Sequence, residues 1–147
     1  LGMANRGFFI RGGIGVGEIH IADLIVYGEV LNEIADADKS GDPPRVVLLD
    51  SALRHLNAIQ DVSNLDRIID SKHDPVFLNY LGILELGGAR RIKDVLDHKS
   101  NIEQQLSIHS KSGQDPAVLK KFQWVAEYHN RFCANSRSTR RSRSWAA

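Results

Sequence analysis

The segment from residue 29 to residue 38 carries the side chains best suited to chemistry. Five polar residues fall within these ten positions, namely Glu29, Asn32, Glu33, Asp36 and Asp38. Clustered carboxylates could hold a divalent cation, and an asparagine amide could hydrogen-bond a ligand. Acidic residues this close together on a helix form a solvated face more often than a metal site. An asparagine on such a helix is more often a surface residue than a ligand-binding one. The residues alone therefore favour a solvated face over a metal site.

A second group of chemically capable residues lies in the C-terminal third of the chain. His98, His109 and His129 could bind zinc if they converged, but core or surface histidines are the commoner outcome. Trp124, Tyr128 and His129 could form an aromatic ligand platform. Aromatic residues at helical spacing more often serve packing, so a structural role is the favoured interpretation here too.

Four glycines, Gly12, Gly13, Gly15 and Gly17, fall within one apolar strand pattern. Glycine lowers strand propensity, so another group is expected to approach this backbone closely. That group could be a ligand or a packed helix, and the sequence leaves both open. A phosphate loop is excluded, because the segment has neither the Walker lysine nor the spacing of a dinucleotide fingerprint.

The charge of the chain is unevenly distributed. The formal net charge is +1 over 147 residues, yet residues 131–147 contain five arginines and no acid. Without interleaved aromatic residues, such a tail makes only weak, salt-sensitive contacts with nucleic acid, so it is predicted to be a solvated tail and nucleic acid is not an expected partner. The single cysteine, Cys133, excludes an internal disulfide and fits a reducing compartment. No apolar run is long enough to span a membrane, and we expect a cytoplasmic protein.

Hydrophobic patterns predict an α+β arrangement for residues 1–86. Two glycine-broken apolar runs are predicted to be paired strands. A helix around Val30 and Ile34, a strand, and a second helix with Asp50 and Ser51 as candidate N-caps follow. A polar turn at residues 71–74 then indicates an antiparallel hairpin. The predicted strands are Phe8–Ile10 continuing to Val16, Ile19–Tyr27, Arg45–Leu49, Leu65–Asp70 and Pro75–Leu81.

Residues 87–133 are predicted to form an antiparallel two-helix extension. Apolar residues from Ile92 to Leu106 recur at helical spacing, and Asp115-Pro116 supplies an N-cap followed by proline at the first helical position. Residues 134–147, rich in serine and arginine, are predicted to be a disordered basic tail.

Three runs together resemble the second half of a class III nucleotide cyclase homology domain. They are Arg11–Ile19, Leu24–Asp38 and Pro44–Asp50. In that family a strand ends in an aromatic-glycine pair, matched here by Tyr27-Gly28, and the next helix carries a nucleotide-facing asparagine, matched by Asn32. The run Lys120–Asn130 is similar to the helical extension of a divergent bacterial branch, some members of which resemble pyrimidine cyclases.

The resemblance implies a partial ferredoxin-like, cyclase-type sheet and a role in cyclic-nucleotide signalling. The substrate-binding positions would be Asn32, Ile25 and Asp36. Ile25 stands where the family has a residue that reads the purine edge, and Asp36 stands where the family has an arginine that faces the phosphate. An acid at that position would repel a triphosphate. No catalytic residue and no metal ligand is assigned, because the two metal-binding aspartates of the family are not matched.

Two functions follow as hypotheses from this resemblance. The chain is expected to be the C-terminal part of a cyclase-like domain, inactive alone, which would need Mg²⁺ or Mn²⁺ ligands from an upstream segment to convert a nucleoside triphosphate to a cyclic nucleotide. The alternative is a catalytically dead nucleotide-sensing or protein-interaction module. A homodimer is the expected partner arrangement, because cyclase-like sites lie between two such units.

Overall fold

The computed structural model describes residues 2–39, 43–59, 65–86, 91–111 and 115–143. They belong to two compact units, one formed by Phe9–Leu86 and the other by Leu1–Phe8 with Gly87–Ala147. The first unit combines helices with sheets, which confirms the predicted α+β class. The tail residues 144–147 lie outside the described part of the chain.

The first unit is built on a mixed four-stranded sheet. Its strands are β1 (Gly12–Ile14), β4 (Val46–Leu48), β5 (Ile69–Asp70) and β6 (Phe77–Leu78), in the order β1-β4-β6-β5. The β1–β4 pair is parallel, and the two other pairs are antiparallel. The core on this sheet consists of apolar side chains that are less than a tenth exposed, namely Val30, Val47, Leu48, Ala52, Phe77, Leu81 and Leu84.

The predicted pairing of the first two apolar runs is wrong. The run Ile19–Tyr27 is not one strand but two, β2 (His20–Ala22) and β3 (Ile25–Tyr27), which form a separate antiparallel hairpin. Asp23 adopts a φ of 52°, a left-handed conformation that aspartate tolerates better than most residues, and it turns the chain there. Strand β1 pairs instead with β4, so the first run joins the main sheet.

Helix α1 (Glu29–Lys39) packs against the glycine-rich segment. A β-carbon added to Gly13 would lie 3.6 Å from the Ala37 side chain, and one added to Gly15 would lie 2.6 Å from Val30 Cγ2. A β-carbon on Gly17 would meet Val30 as well, at 3.0 Å. Of the two alternatives that the sequence left open, a helix is thus what approaches this backbone.

Three further helices complete the first unit: α2 (Asp50–Ala58), α3 (Leu65–Ile68) and α4 (Ile83–Leu86). A helix follows β4 as predicted, but Asp50 and Ser51, predicted to be its N-caps, are its first two helical residues, and Leu49 occupies the N-cap position without a side-chain capping hydrogen bond. The predicted hairpin is present but shorter than expected, since only Ile69 and Asp70 pair with Leu78 and Phe77. Residues 65–68, predicted to be extended, are helical.

The second unit contains two long helices, α5 (Arg91–His109) and α6 (Pro116–Arg143), and a short 3₁₀ turn. His98 lies against His129 and His109 against Phe122, so the helices run antiparallel, as predicted. The Asp115 carboxylate accepts a hydrogen bond from the Ala117 backbone N–H at 2.8 Å, which is the expected N-cap.

The buried face of α5 differs from the predicted one. Ile102 is buried as predicted, but Ile92 and Leu96 are 68% and 58% exposed, and His98 is buried instead. Buried Val125 and Tyr128 belong to the core on α6. Because a histidine occupies the centre of the buried face, a pattern search for apolar residues alone places that face incorrectly.

The C-terminal helix is longer than the sequence indicated. Helix α6 continues to Arg143, so the backbone of residues 134–143 is helical where a disordered tail was predicted. No helix among the described residues is both long and apolar enough to cross a membrane.

Candidate functional site

A cleft of about 950 Å³ opens in the first unit beside the start of α1. Its walls come from the segment Val16–Glu18, the hairpin β2–β3, the first turns of α1 and the first turns of α2. We call this space the α1 cleft. Gly28, which joins the hairpin to α1, packs closely on the backbone before β2, because a β-carbon there would lie 2.5 Å from the Glu18 carbonyl oxygen and 3.2 Å from Ile19 Cα.

A polar network links three walls of the α1 cleft. The Ser51 hydroxyl donates to Glu33 Oε2 at 3.3 Å and accepts a hydrogen bond from the Val16 backbone N–H at 3.3 Å. Ser51 lies in the first turn of α2, Glu33 lies on α1, and Val16 follows β1. The network therefore fixes the two helices relative to the glycine-rich segment.

An aromatic pair forms the hairpin side of the α1 cleft. The rings of His20 and Tyr27 are stacked with centroids 5.1 Å apart, and the two residues are directly opposite each other in the β2–β3 register. Tyr27 remains 54% exposed. A flat ring with one accessible face can stack on a planar ligand such as a nucleobase.

The charge of the α1 cleft is predominantly negative. Its lining includes three carboxylates, Glu18, Glu29 and Glu33, against one guanidinium, Arg54. The Arg54 Nε donates to the Asp50 carbonyl oxygen at 3.4 Å. This balance disfavours a bare polyphosphate and favours a neutral group or a ligand whose phosphates carry a bound cation.

Of the three predicted substrate-binding residues, the structure places only Asn32 in the lining of the α1 cleft. Ile25 lies on β3 with its side chain 67% exposed, and it is not a lining residue. Asp36 also lies away from the lining, and its carboxylate accepts a hydrogen bond from Lys39 Nζ at 3.1 Å on the exposed surface. The structure thus separates the base-reading and phosphate-facing positions from Asn32.

Three of the acids of α1 interact with other side chains, and Glu33 does so through Ser51. Asp38 pairs with Arg11 at 2.9 Å, and Asp36 pairs with Lys39. Glu29, Glu33 and Asp36 are exposed, which matches the solvated face that the residues favoured. Among the described residues there is no group of three or more His, Cys, Asp or Glu side chains placed to hold a metal ion.

Sequence reasoning missed His20, Ser51 and Arg54 as cleft residues. The contribution of α2 depends on the parallel pairing of β1 with β4, which brings the start of α2 close to the end of β1. That long-range pairing leaves no local signal in the sequence. His20 could have been found only by dividing the run Ile19–Tyr27 into a hairpin, since the stacking on Tyr27 follows from the register.

Searches of protein-family models, characterised proteins and solved structures find no match to this chain.

Proposed function

We propose that this chain is a cyclase-like association module of cyclic-nucleotide signalling, which pairs with a second copy of itself through the hairpin β2–β3 and does not act alone as a cyclase. One observation carries the association part of this proposal. The hairpin exposes five large apolar side chains by more than half of their surface, namely Ile21, Leu24, Ile25, Val26 and Tyr27.

The exposed residues occupy both faces of the hairpin. Ile21 lies opposite Val26 on one face, and Ile25 and Tyr27 lie on the other. A two-stranded hairpin is marginally stable by itself, and its outer edges present backbone donors and acceptors that another strand can pair with. Covering one edge and one face would stabilise it.

A second copy fits this surface for two reasons. Two-fold symmetry brings the same patch of each chain together, so an apolar hairpin meets an equally apolar hairpin. Residues 19–27 contain one acid, Asp23, and no lysine or arginine, so two copies meet with little charge repulsion.

The dimer can be tested by substituting Ile25. Ile25→Lys should convert a concentration-dependent dimer into a monomer, because two lysines would be desolvated at the symmetric contact. Sedimentation across micromolar concentrations measures the change. Ile92→Lys is the matched control, since Ile92 on α5 is 68% exposed against 67% for Ile25. A wild-type monomer at every concentration, or equal dissociation in both variants, would contradict the proposal.

Nucleotide binding in the α1 cleft is the second part of the proposal, and the position of Asn32 supports it. The Asn32 amide and the accessible face of Tyr27 line the same cleft, so one could hydrogen-bond a base or ribose while the other stacks. The three carboxylates of the lining make a cation-bound triphosphate the expected form. We assign no catalytic residue, because the aspartates that hold metal in class III cyclases are not matched in this sequence.

Asn32→Ala should weaken the binding of a non-hydrolysable, magnesium-bound nucleoside triphosphate by about fivefold, since one hydrogen bond contributes about 1 kcal/mol. Asp36→Arg should leave the affinity unchanged, because Asp36 pairs with Lys39 outside the cleft. Isothermal titration of the three proteins measures both effects. Equal affinity of wild type and Asn32→Ala would show that the nucleotide does not bind in this cleft. Tighter binding by Asp36→Arg would show that the phosphates lie along α1 instead.

A further inference from the structure

Two histidines meet inside the helical unit. His98 on α5 is 0% exposed and His129 on α6 is 5% exposed. Their Nδ1 atoms lie 2.9 Å apart, and their rings are stacked at 5.1 Å with an angle of 19°. At that separation one Nδ1 donates a proton and the other accepts it, so the bond requires a neutral accepting ring.

The second nitrogen of His129 is also engaged. His129 Nε2 lies 3.5 Å from Cys133 Sγ, one helical turn further along α6. If His98 donates, His129 carries its proton on Nε2 and directs it at the sulfur. A proton added to the accepting Nδ1 would turn the 2.9 Å hydrogen bond into a contact between two N–H groups.

The surroundings of the pair oppose protonation. Burial, followed by the neighbouring His129 and the amino terminus, lowers the pKa of His98 to about 4. Burial also lowers the pKa of His129, with Lys99 acting in the same direction and Glu103 in the opposite one. Lys99 and Glu103 pair with each other on α5 at 3.4 Å, so much of their effect cancels at the ring.

We propose that the His98–His129 pair is an acid-sensitive lock, which holds α5 against α6 while the accepting ring is neutral and releases them when that ring is protonated. The direction follows from linkage. The unfolded chain binds protons below a pKa of 6.5 while the folded pair stays neutral, so stability is complete above that pH and falls as the pH drops towards 4. For His98 alone the unfolding equilibrium constant should rise by about tenfold per pH unit in this range, and the lowered pKa of His129 acts in the same direction.

Tryptophan fluorescence can follow the lock in the full-length chain. The two tryptophans are Trp124 and Trp145, and the first unit has none, so Trp145→Phe leaves Trp124 on α6 as the single reporter. Urea titrations of this protein at about pH 7.5 and about pH 5 should show an unfolding constant at least about thirtyfold larger at the lower pH. An unchanged constant would overturn the proposal.

Two variants separate the lock from general acid effects. In the same reporter background, His98→Gln should lose most of the pH dependence, whereas His55→Gln, on the exposed surface of α2, should retain it. Equal pH dependence in both would overturn the proposal.

If His98→Gln does not fold, NMR titration of the His98 ring in the wild type tests the lock instead. A ring that stays neutral below about pH 5.5 until the helices unfold supports the lock. A ring that titrates near 6.5 in the folded protein overturns it.

Discussion

Phe77→Ala should lower the free energy of unfolding of the first unit by about 3–5 kcal/mol, which is the usual cost of removing a buried phenylalanine. Phe77 is 1% exposed. It lies on β6, between β4 and β5, and is paired with Val47 on one side and Asp70 on the other. The Arg45 guanidinium lies 5.8 Å from the ring centroid, and the His73 ring lies at 5.9 Å. Truncation would remove the contacts of both and leave a cavity beneath the sheet.

Urea unfolding followed by circular dichroism at about pH 7.5 measures this loss while the buried histidines are neutral. Phe8→Ala is the control, because Phe8 is 63% exposed and its truncation should change stability by no more than about 0.5 kcal/mol. Similar losses in the two variants would mean that β6 is not the centre of the core.

Gly82→Ala should destabilise the same unit by about 3 kcal/mol or more, because overpacking against backbone cannot be relieved by a rotamer change. A β-carbon at Gly82 would overlap the Arg67 carbonyl oxygen. That oxygen already accepts a hydrogen bond from Asn79 Nδ2 at 3.0 Å, and the Gly82 backbone N–H donates to the Asn79 carbonyl oxygen at 3.0 Å. The added methyl group would push the turn that joins β6 to α4 away from the Arg67 carbonyl oxygen.

The matched control is Gly2→Ala, since nothing lies within 4 Å of a β-carbon at Gly2. Thermal unfolding of both variants should show a large drop in the melting temperature for Gly82→Ala and a change of no more than a few degrees for Gly2→Ala. A Gly82→Ala protein as stable as wild type would show that Arg67 and Gly82 are further apart in solution than the structure places them.

Predictions from the sequence were most accurate where a few neighbouring residues determine the local structure. The Asp115-Pro116 cap of α6 is determined by a few neighbouring residues, and the helix begins there. The helix after β4 was predicted as well, but its N-cap was placed at Asp50 or Ser51, which lie inside α2. Glycine spacing indicated a close approach along residues 13–17, which the packing of α1 supplies. The antiparallel pairing of α5 with α6 followed from two amphipathic patterns and a short connection.

Features that depend on distant contacts were beyond such reasoning. The parallel β1–β4 pair and the cleft residues Ser51 and Arg54 depend on where strands meet in space. The run Ile19–Tyr27 is apolar apart from His20 and Asp23, and a single aspartate was not enough to divide the predicted strand into two at the turn. His98 was considered only as a possible zinc ligand or an ordinary core or surface histidine, because its contact with His129, 31 residues further along the chain, leaves no local signal.

The close contact of α1 with the glycine-rich segment makes the shape of the α1 cleft sensitive to a change in the packing beneath the helix. Val30 contacts Gly15 and Gly17 and also belongs to the cleft lining. Helix α1 therefore packs directly on glycine backbone. No side chain of Gly15 or Gly17 lies between the helix and this segment. A single methyl group added at Gly15 would tilt it, and the tilt would reach the Asn32 amide two residues beyond Val30. The shape of this cleft can thus be changed by a substitution at Gly15, which is not one of its lining residues.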